Sequence, residues 1–160
     1  MGLDNIPKEY PCKKEKTAIM KVLRGQSGEP LLNEAGEEQT QIDCESTQAA
    51  DGCPYRREYE KSGLEGGAVY GIFGAECWYR GKWGNAVLGE AGITEETFYG
   101  DNDDETVKSP TSCITLSEVI LSALEESGEN VRKDLVADLT YAAWWLRFIA
   151  EFADGCDCWY

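Results

Sequence analysis

The chain has 160 residues, of which 42% are hydrophobic and 11% aromatic, values typical of one folded domain and not of a disordered chain. Thirty acidic residues against fifteen basic ones give a formal net charge of −15, and a field of that sign repels nucleic acid unless a local basic patch overcomes it. The sequence contains no histidine, which excludes Ser-His-Asp and Cys-His catalysis and leaves thiolates and carboxylates to hold any zinc.

The first sixteen residues look irregular, because Pro7 and Pro11 interrupt them. They show no basic region followed by an apolar core, so we expect no secretory signal, and the chain has no apolar run long enough to span a membrane. We therefore expect a cytoplasmic protein whose seven cysteines are reduced thiols or metal ligands.

An acidic segment follows the first predicted strand. Residues 17–24 are predicted to form that strand, with a turn behind it and a return strand that starts at Leu31 and Leu32. Residues 25–54 contain seven acidic residues and no Lys or Arg. We expect a solvated hairpin or loop that re-enters the body at residues 42–44.

The middle of the chain combines aromatic residues with glycine. Mixed charges between Arg56 and Lys61 predict a surface turn, and residues 66–84 predict a central strand or hairpin because six glycines separate β-branched and aromatic residues. Five of these residues mix aromatic rings with cations: Trp78, Tyr79, Arg80, Lys82 and Trp83. Such a mixture is typical of a protein interaction hot spot, of core packing, or of a stacking surface for single-stranded bases, and the net charge disfavours the last.

The C-terminal third is predicted to be helical. A capping box at residues 115–118 opens a helix that ends at Gly128, and a longer helix is predicted for residues 129–153. The longer helix carries one apolar stripe, Leu135, Leu139, Ala142, Leu146, Ile149 and Ala153, and a second apolar face, Trp145, Phe148 and Phe152. A helix that is apolar nearly all round is buried, and we expect it to pack against the central strand.

Four cysteines lie next to turn-forming residues or at strand ends: Cys12, Cys44, Cys53 and Cys77. If they converge, their thiolates would suit tetrahedral zinc or, less readily, an iron–sulfur cluster. The alternative is that each cysteine is a small buried apolar residue. Disulfides are the least favoured of the three interpretations.

Two further thiols, Cys156 and Cys158, lie near the C-terminus. An accessible pair at this spacing could share a soft metal or form an easily reduced disulfide. We favour the simpler interpretation, a frayed tail whose Trp159 and Tyr160 dock on the core. We see no internal repeat, no calcium loop in the acidic run at residues 101–105, and no phosphate-binding loop.

Four segments together resemble a group of small phage-encoded proteins of unassigned function: MGLDNIPKEYPC, IDCESTQAADGCPY, GIFGAECWYRGKWG and DLTYAAWWLRFIAEFADGCDCWY. The resemblance covers most of the chain. It implies a viral accessory protein, located in the cytoplasm of the host cell, and carries no catalytic residue with it.

The sequence therefore predicts a single α+β domain over residues 1–160, with a cysteine-rich β and loop part at 1–110 and a helical hairpin with a docked tail at 111–160. In this prediction the N-terminal two-thirds form a small antiparallel sheet, which the C-terminal helical hairpin covers. The predicted function is a non-enzymatic interaction protein whose acidic surface inhibits a basic, nucleic-acid-handling host protein by charge mimicry. The alternatives are a small metal-stabilised module with a structural or redox role, and an enzyme or redox protein that uses Cys77 or the pair Cys156 and Cys158.

Overall fold

The computed structural model describes residues 4–64, 79–80, 89, 92–94 and 107–159, and it confirms the α+β class. In chain order the elements are β1 (Asp4–Pro7), α1 (Pro11–Lys14), β2 (Met20–Val22), β3 (Thr40–Ile42), α2 (Cys44–Ala49), α3 (Pro54–Ser62), β4 (Tyr79–Arg80), β5 (Val107–Lys108), α4 (Pro110–Ser127), α5 (Lys133–Phe152) and β6 (Cys156–Trp159). A single 3₁₀ turn, Gly128–Asn130, lies between α4 and α5.

The first and last strands of the described chain form the middle of a four-stranded antiparallel sheet, in the order β4-β1-β6-β5. Two predictions are therefore wrong: the N-terminus is not irregular throughout, and residues 156–159 are an inner strand and not a frayed tail. The pairing joins Asn5 to Cys158 and Pro7 to Cys156. Both strands are short, and the partners are far apart in sequence, so no local pattern predicted them.

Gly155 places β6 against its neighbour. Its φ of +101° is one that residues with a side chain rarely adopt, and a Cβ at this position would overlap the carbonyl oxygen of Lys108. The Gly155 carbonyl also accepts a hydrogen bond from the Lys8 amide at 2.9 Å. This one glycine therefore lets the chain leave α5 and enter the sheet.

Both helices of the predicted pair are present, but each begins at a different residue from the one predicted. Helix α5 begins at Lys133 and not near residue 129, where the 3₁₀ turn lies. Helix α4 ends at Gly128, as predicted, but it begins at Pro110 and not at the box around Thr115. The Ser109 hydroxyl oxygen accepts a hydrogen bond from the Ser112 amide at 3.2 Å, and the proline follows in the first helical position. The Thr115 hydroxyl instead donates to the Thr111 carbonyl one turn earlier.

The predicted stripe of α5 is buried, which confirms that part of the analysis. All six of its members and both Trp145 and Phe148 are buried, while Phe152 is half-buried. They pack with residues of α4, among them Cys113, Leu116 and Ile120. The predicted packing of α5 against residues 66–84 lies outside the described residues, apart from 79–80.

Helix α3 replaces the predicted surface turn, and α2 replaces part of the predicted loop. Pro54 stands at the start of α3, and Gly63 ends it in the left-handed conformation, with φ +67°. The Tyr55 ring is buried against Phe148, with ring centroids 5.6 Å apart. A buried tyrosine inside a run of charges is what distinguishes this helix from a surface turn.

Within the part of the chain that the structure describes, no helix combines the length and the apolar character needed to cross a membrane.

Candidate functional site

Residues 19–43 form a hydrogen-bonded structure that we call the β arm. Three of its segments pair with one another in a closed ring of backbone hydrogen bonds. The Leu23 amide donates to the Gln39 carbonyl, the Gln39 amide to the Leu31 carbonyl and the Leu31 amide to the Leu23 carbonyl, each at 2.8 Å. Because each segment pairs with both others, the arm has three sides, and its backbone is held without a covering layer.

The arm repeats its local geometry every eight residues. Gly28 and Gly36 both have positive φ, +86° and +80°. In the first turn, the Gly25 amide donates to the Glu29 carbonyl at 2.9 Å, and the Gly28 amide donates to the Gly25 carbonyl at 3.0 Å. In the second turn, eight residues later, the Asn33 amide donates to the Glu37 carbonyl at 2.8 Å, and the Gly36 amide donates to the Asn33 carbonyl at 3.0 Å. The prediction that the chain has no internal repeat is therefore wrong. Leucine, glycine and glutamate recur at equivalent positions of LRGQSGEP and LLNEAGEE, and this spacing was the signal that could have revealed it.

The distal part of the arm, residues 25–38, presents carboxylates beside exposed leucines. Leu31 is 40% exposed and Leu32 is 56% exposed. The acidic residues here, Glu29, Glu34, Glu37 and Glu38, are all exposed, and this part contains no Lys or Arg. The prediction of a solvated acidic segment is confirmed. The exposure of the leucines was not predicted.

The root of the arm, where it joins α2, is fixed by hydrogen bonds to Ile19. The Asp43 amide donates to the Ile19 carbonyl at 2.8 Å, and the Ile19 amide donates to the Thr47 hydroxyl oxygen at 3.0 Å. Asp43 also caps α2: its carboxylate accepts from the Ser46 amide at 3.1 Å and from the Ser46 hydroxyl at 2.9 Å. These bonds to Ser46 lower the pKa of the Asp43 carboxyl, so the cap is charged at neutral pH.

Three of the four predicted ligand cysteines lie on segments that join beside this root. Among the described residues, no group of three Cys, Asp or Glu side chains is placed to hold a metal ion, so their role as ligands stays a prediction. Cys12 is a buried residue of α1, Cys44 is the half-buried first residue of α2, and Cys53 is the buried residue before α3. Burial raises the pKa of the Cys12 thiol, and negative charge on Cys53 and Cys44 raises it further. Cys77 lies outside the described residues. We call the three remaining residues the thiol cluster.

The segments that carry these three cysteines are joined by hydrogen bonds of Thr17, Thr47 and Gly52. The Thr17 hydroxyl hydrogen-bonds the carbonyls of Cys12 and Gly52. A Cβ at Gly52 would lie 2.8 Å from the Thr17 carbonyl oxygen, closer than real side chains allow. The Gly52 amide donates to the Thr47 carbonyl at 2.8 Å. The segments that carry the three thiols are therefore bonded to one another through their backbones.

The predicted interaction residues fall mostly outside the described part of the chain. Trp78, Lys82 and Trp83 are not among the described residues. Tyr79 and Arg80 form β4, whose backbone pairs with Asn5 and Asp4 at the edge of the sheet. Their interaction role stays a prediction.

The second cysteine pair does not match the expectation of an accessible tail. Cys156 is 1% exposed, and its thiol lies 3.9 Å from the Asn5 side-chain oxygen. Cys158 lies in the same strand and pairs with Asn5 through its backbone. An inner strand buries Cys156, so we drop the prediction that it reacts as an exposed thiol.

No protein-family model matches the chain, and no curated protein or solved structure shows significant similarity to it. The functional interpretation therefore depends on the two features described above, the β arm and the thiol cluster at its root.

Proposed function

We propose that this chain is a non-enzymatic interaction protein that binds a basic partner protein through the distal part of the β arm. One observation carries the proposal. Leu31 and Leu32 are exposed on a hydrogen-bonded scaffold, and residues 25–38 carry four carboxylates. The one cation against this segment among the described contacts is Arg24, whose guanidinium donates to the Gly28 carbonyl at 2.8 Å.

The chemistry of this surface selects the partner. Exposed leucines supply apolar area for burial, at about 25 cal/mol per Å² removed from water. The carboxylates repel phosphates and other acidic surfaces, and they attract a basic surface over roughly a Debye length of 8 to 10 Å at physiological salt. A partner with an apolar patch inside a basic groove therefore fits better than nucleic acid or a membrane of acidic lipids.

A basic groove is the kind of surface that proteins use to hold nucleic acid. We therefore propose that the arm competes with nucleic acid for such a groove. The resemblance to small phage-encoded proteins supports a viral accessory protein that acts on a protein of the host cytoplasm.

The experiment uses a panel of purified basic nucleic-acid-binding proteins as the probe. Affinity is measured by biolayer interferometry at low and high salt, with and without a duplex DNA competitor. We expect at least one member to bind, with an affinity that falls with salt and a signal that DNA removes.

The specificity of the result depends on matched variants. Two arm variants are each expected to weaken binding by about ten-fold or more. One is Leu32→Ser, and the other replaces all four glutamates, Glu29, Glu34, Glu37 and Glu38, by glutamine. Leu121→Ser and Glu125→Gln, exposed changes on α4, are the controls and should leave binding unchanged. Equal binding by the arm variants and the controls would refute the proposal.

We also propose that the helical pair covers one face of the four-stranded sheet. The short connections between the helices and the sheet support this. Ser109 alone joins β5 to α4, and the three residues 153–155 join α5 to β6. Ala153 and Cys156, at either end of the second connection, are both buried. Hydrogen exchange tests it: Leu146→Ala in α5 should speed the exchange of the Ile6 and Asp157 amides, and unchanged exchange would contradict it.

A further inference from the structure

We propose that a cavity between α3, α4 and α5 binds a small aromatic carboxylate, with Arg147 as the partner of the carboxylate and Trp144 as an apolar wall. The cavity has a volume of about 440 Å³, within the range of roughly 300–1,000 Å³ that is usual for small-molecule sites. None of its lining residues belongs to the β arm, so this inference does not depend on the partner proposed for the arm.

A buried serine holds Arg147 at one wall of the cavity. Ser117 of α4 is 0% exposed, and its hydroxyl donates to the Ala143 carbonyl of α5 at 2.8 Å. This bond uses the hydroxyl proton, so the oxygen can accept a bond from Arg147, whose Nε lies 3.0 Å away. The guanidinium is therefore fixed between α4 and α5 before any ligand arrives.

The fixed guanidinium keeps the donors that a carboxylate needs. A guanidinium carries five N–H donors in one plane, and its two Nη groups match the two oxygens of a carboxylate. Among the residues that the structure describes, the bond from Nε to Ser117 is the one hydrogen bond of Arg147. The side chain is exposed, so a ligand can reach both Nη groups from solvent.

The charges of the lining favour an anion that carries a single charge. Three charged residues line the cavity, the cations Lys61 and Arg147 and the carboxylate Glu58. The Glu58 carboxylate already accepts from Arg57 Nε at 3.1 Å and from Lys61 Nζ at 3.2 Å, so two cations offset its charge. Arg147 therefore remains to attract an anion, while the net charge of −15 on the whole chain disfavours a more highly charged group such as phosphate.

Apolar side chains from all three helical segments supply the rest of the binding surface. Leu64 follows α3, Leu121 lies on α4 and is 38% exposed, and Ala143 and Trp144 lie on α5. The half-buried Trp144 ring stacks on Phe148, with centroids 5.4 Å apart and ring planes 14° apart, so it is held in place. Aromatic rings pack well against one another in stacked or edge-to-face arrangements. A flat aromatic body therefore suits this lining.

The experiment uses naphthoate as the probe and naphthamide, which has the same rings and no charge, as its neutral match. Isothermal titration calorimetry on the full-length protein measures both affinities, and heteronuclear NMR follows the Trp144 indole N–H and the Arg147 Nε–H. We expect one equivalent of naphthoate to bind with a Kd of about 1 mM or tighter. Both NMR signals should shift, and naphthamide should bind at least ten-fold more weakly.

Variants separate the charge of Arg147 from its position. Arg147→Gln removes the guanidinium and should weaken naphthoate binding by about ten-fold or more, with little effect on naphthamide. Ser117→Ala keeps the guanidinium and removes its anchor, so Ser117 acts as a positioning residue. This variant should weaken naphthoate binding by about three-fold and move the Arg147 Nε–H signal of the unliganded protein. Leu121→Trp narrows the cavity and should weaken both compounds alike.

Two controls keep the outcome decisive. Arg56→Gln changes an exposed arginine of α3 that does not line this cavity, and it should bind naphthoate as the wild type does. The arm variant Leu32→Ser should do the same. Circular dichroism shows that each variant is folded, and the NMR shifts of the wild type locate the ligand without any substitution. Absence of saturable binding, equal affinity for the two compounds, or an effect of Arg147→Gln no larger than that of Arg56→Gln would overturn the proposal.

Discussion

The hydroxyl oxygens of Tyr55 and Tyr141 lie 2.8 Å apart in the core and share one hydrogen bond between α3 and α5. Tyr55 is 1% exposed and Tyr141 is 0% exposed. Both residues also lie in the aromatic cluster around Trp144, at centroid distances of 5.8 Å. The bond therefore joins the cysteine-rich part of the chain to the helical pair.

Replacing either tyrosine by phenylalanine should lower the free energy of unfolding by about 1 kcal/mol, because each change removes this hydrogen bond and keeps the ring contacts. The double variant should cost less than the sum of the two single changes, since both remove the same bond. Urea unfolding of the four proteins measures this. Strict additivity would contradict the coupling.

The helical third of the fold could be predicted from the sequence because its information is local. The stripe from Leu135 to Ala153 recurs at helical spacing, and burial follows from that spacing. The four-stranded sheet could not be predicted, because Asn5 and Cys158 pair across nearly the whole chain in strands of four residues. Pairing of short distant strands leaves no pattern within either strand.

The candidate site could be predicted in part. Turn-forming neighbours and strand ends identified Cys12, Cys44 and Cys53, and hydrogen bonds through Thr17 and Thr47 join the segments that carry them. Cys77 lies outside the described residues. The sequence did not reveal the ring of backbone hydrogen bonds that joins Leu23, Leu31 and Gln39. Leucine stands at the first two of these positions but glutamine at the third, so the side chains do not repeat regularly. Hydrogen bonds between main chains define that ring, and they depend little on side-chain identity.

Gly52→Ala should destabilise the thiol cluster. The added methyl group would lie 2.8 Å from the Thr17 carbonyl and 3.3 Å from the Thr47 methyl carbon, so the segments must separate. We expect a loss of about 1–3 kcal/mol, the usual cost of overpacking, and faster alkylation of Cys12. Thermal unfolding and mass-spectrometric thiol labelling measure both effects. Gly89→Ala is the control, because a Cβ there meets no atom of the described residues within 4 Å. A Gly52 variant as stable as this control would contradict the prediction.

Asp154 should titrate abnormally because it holds α1 against the end of α5. The Lys14 ammonium group lies 3.1 Å from its carboxylate and also donates to the Ala153 carbonyl at 2.9 Å. The Lys14 ammonium group lowers the pKa of Asp154 below its ordinary 3.8. Because this pKa is lowered in the folded state, the ion pair between Lys14 and Asp154 stabilises the fold above pH 3.8. That stabilisation is lost as the pH falls through the folded-state pKa of Asp154.

Lys14→Met should therefore raise the Asp154 pKa toward its ordinary value. NMR titration of the side-chain carboxyl carbon measures the midpoint directly. Lys16→Met, an exposed lysine of the same segment, serves as the control. An unchanged midpoint in the Lys14 variant would show that the ion pair does not form in solution. The effect on overall stability should be small, because both groups of the pair are well exposed.

The start of α4 gives the sharpest comparison between the sequence-based expectation and the structure. Ser109→Ala removes the side chain that accepts the Ser112 amide, and it should lower the free energy of unfolding by about 1 kcal/mol. Thr115→Ala removes only a bond to the Thr111 carbonyl one turn back and places alanine, the best helix former, in the helix interior. We expect this second variant to be as stable as the wild type or slightly more stable. Urea unfolding followed by circular dichroism gives both values, and a loss that is larger for Thr115→Ala than for Ser109→Ala would mean that the helix begins at the capping box after all.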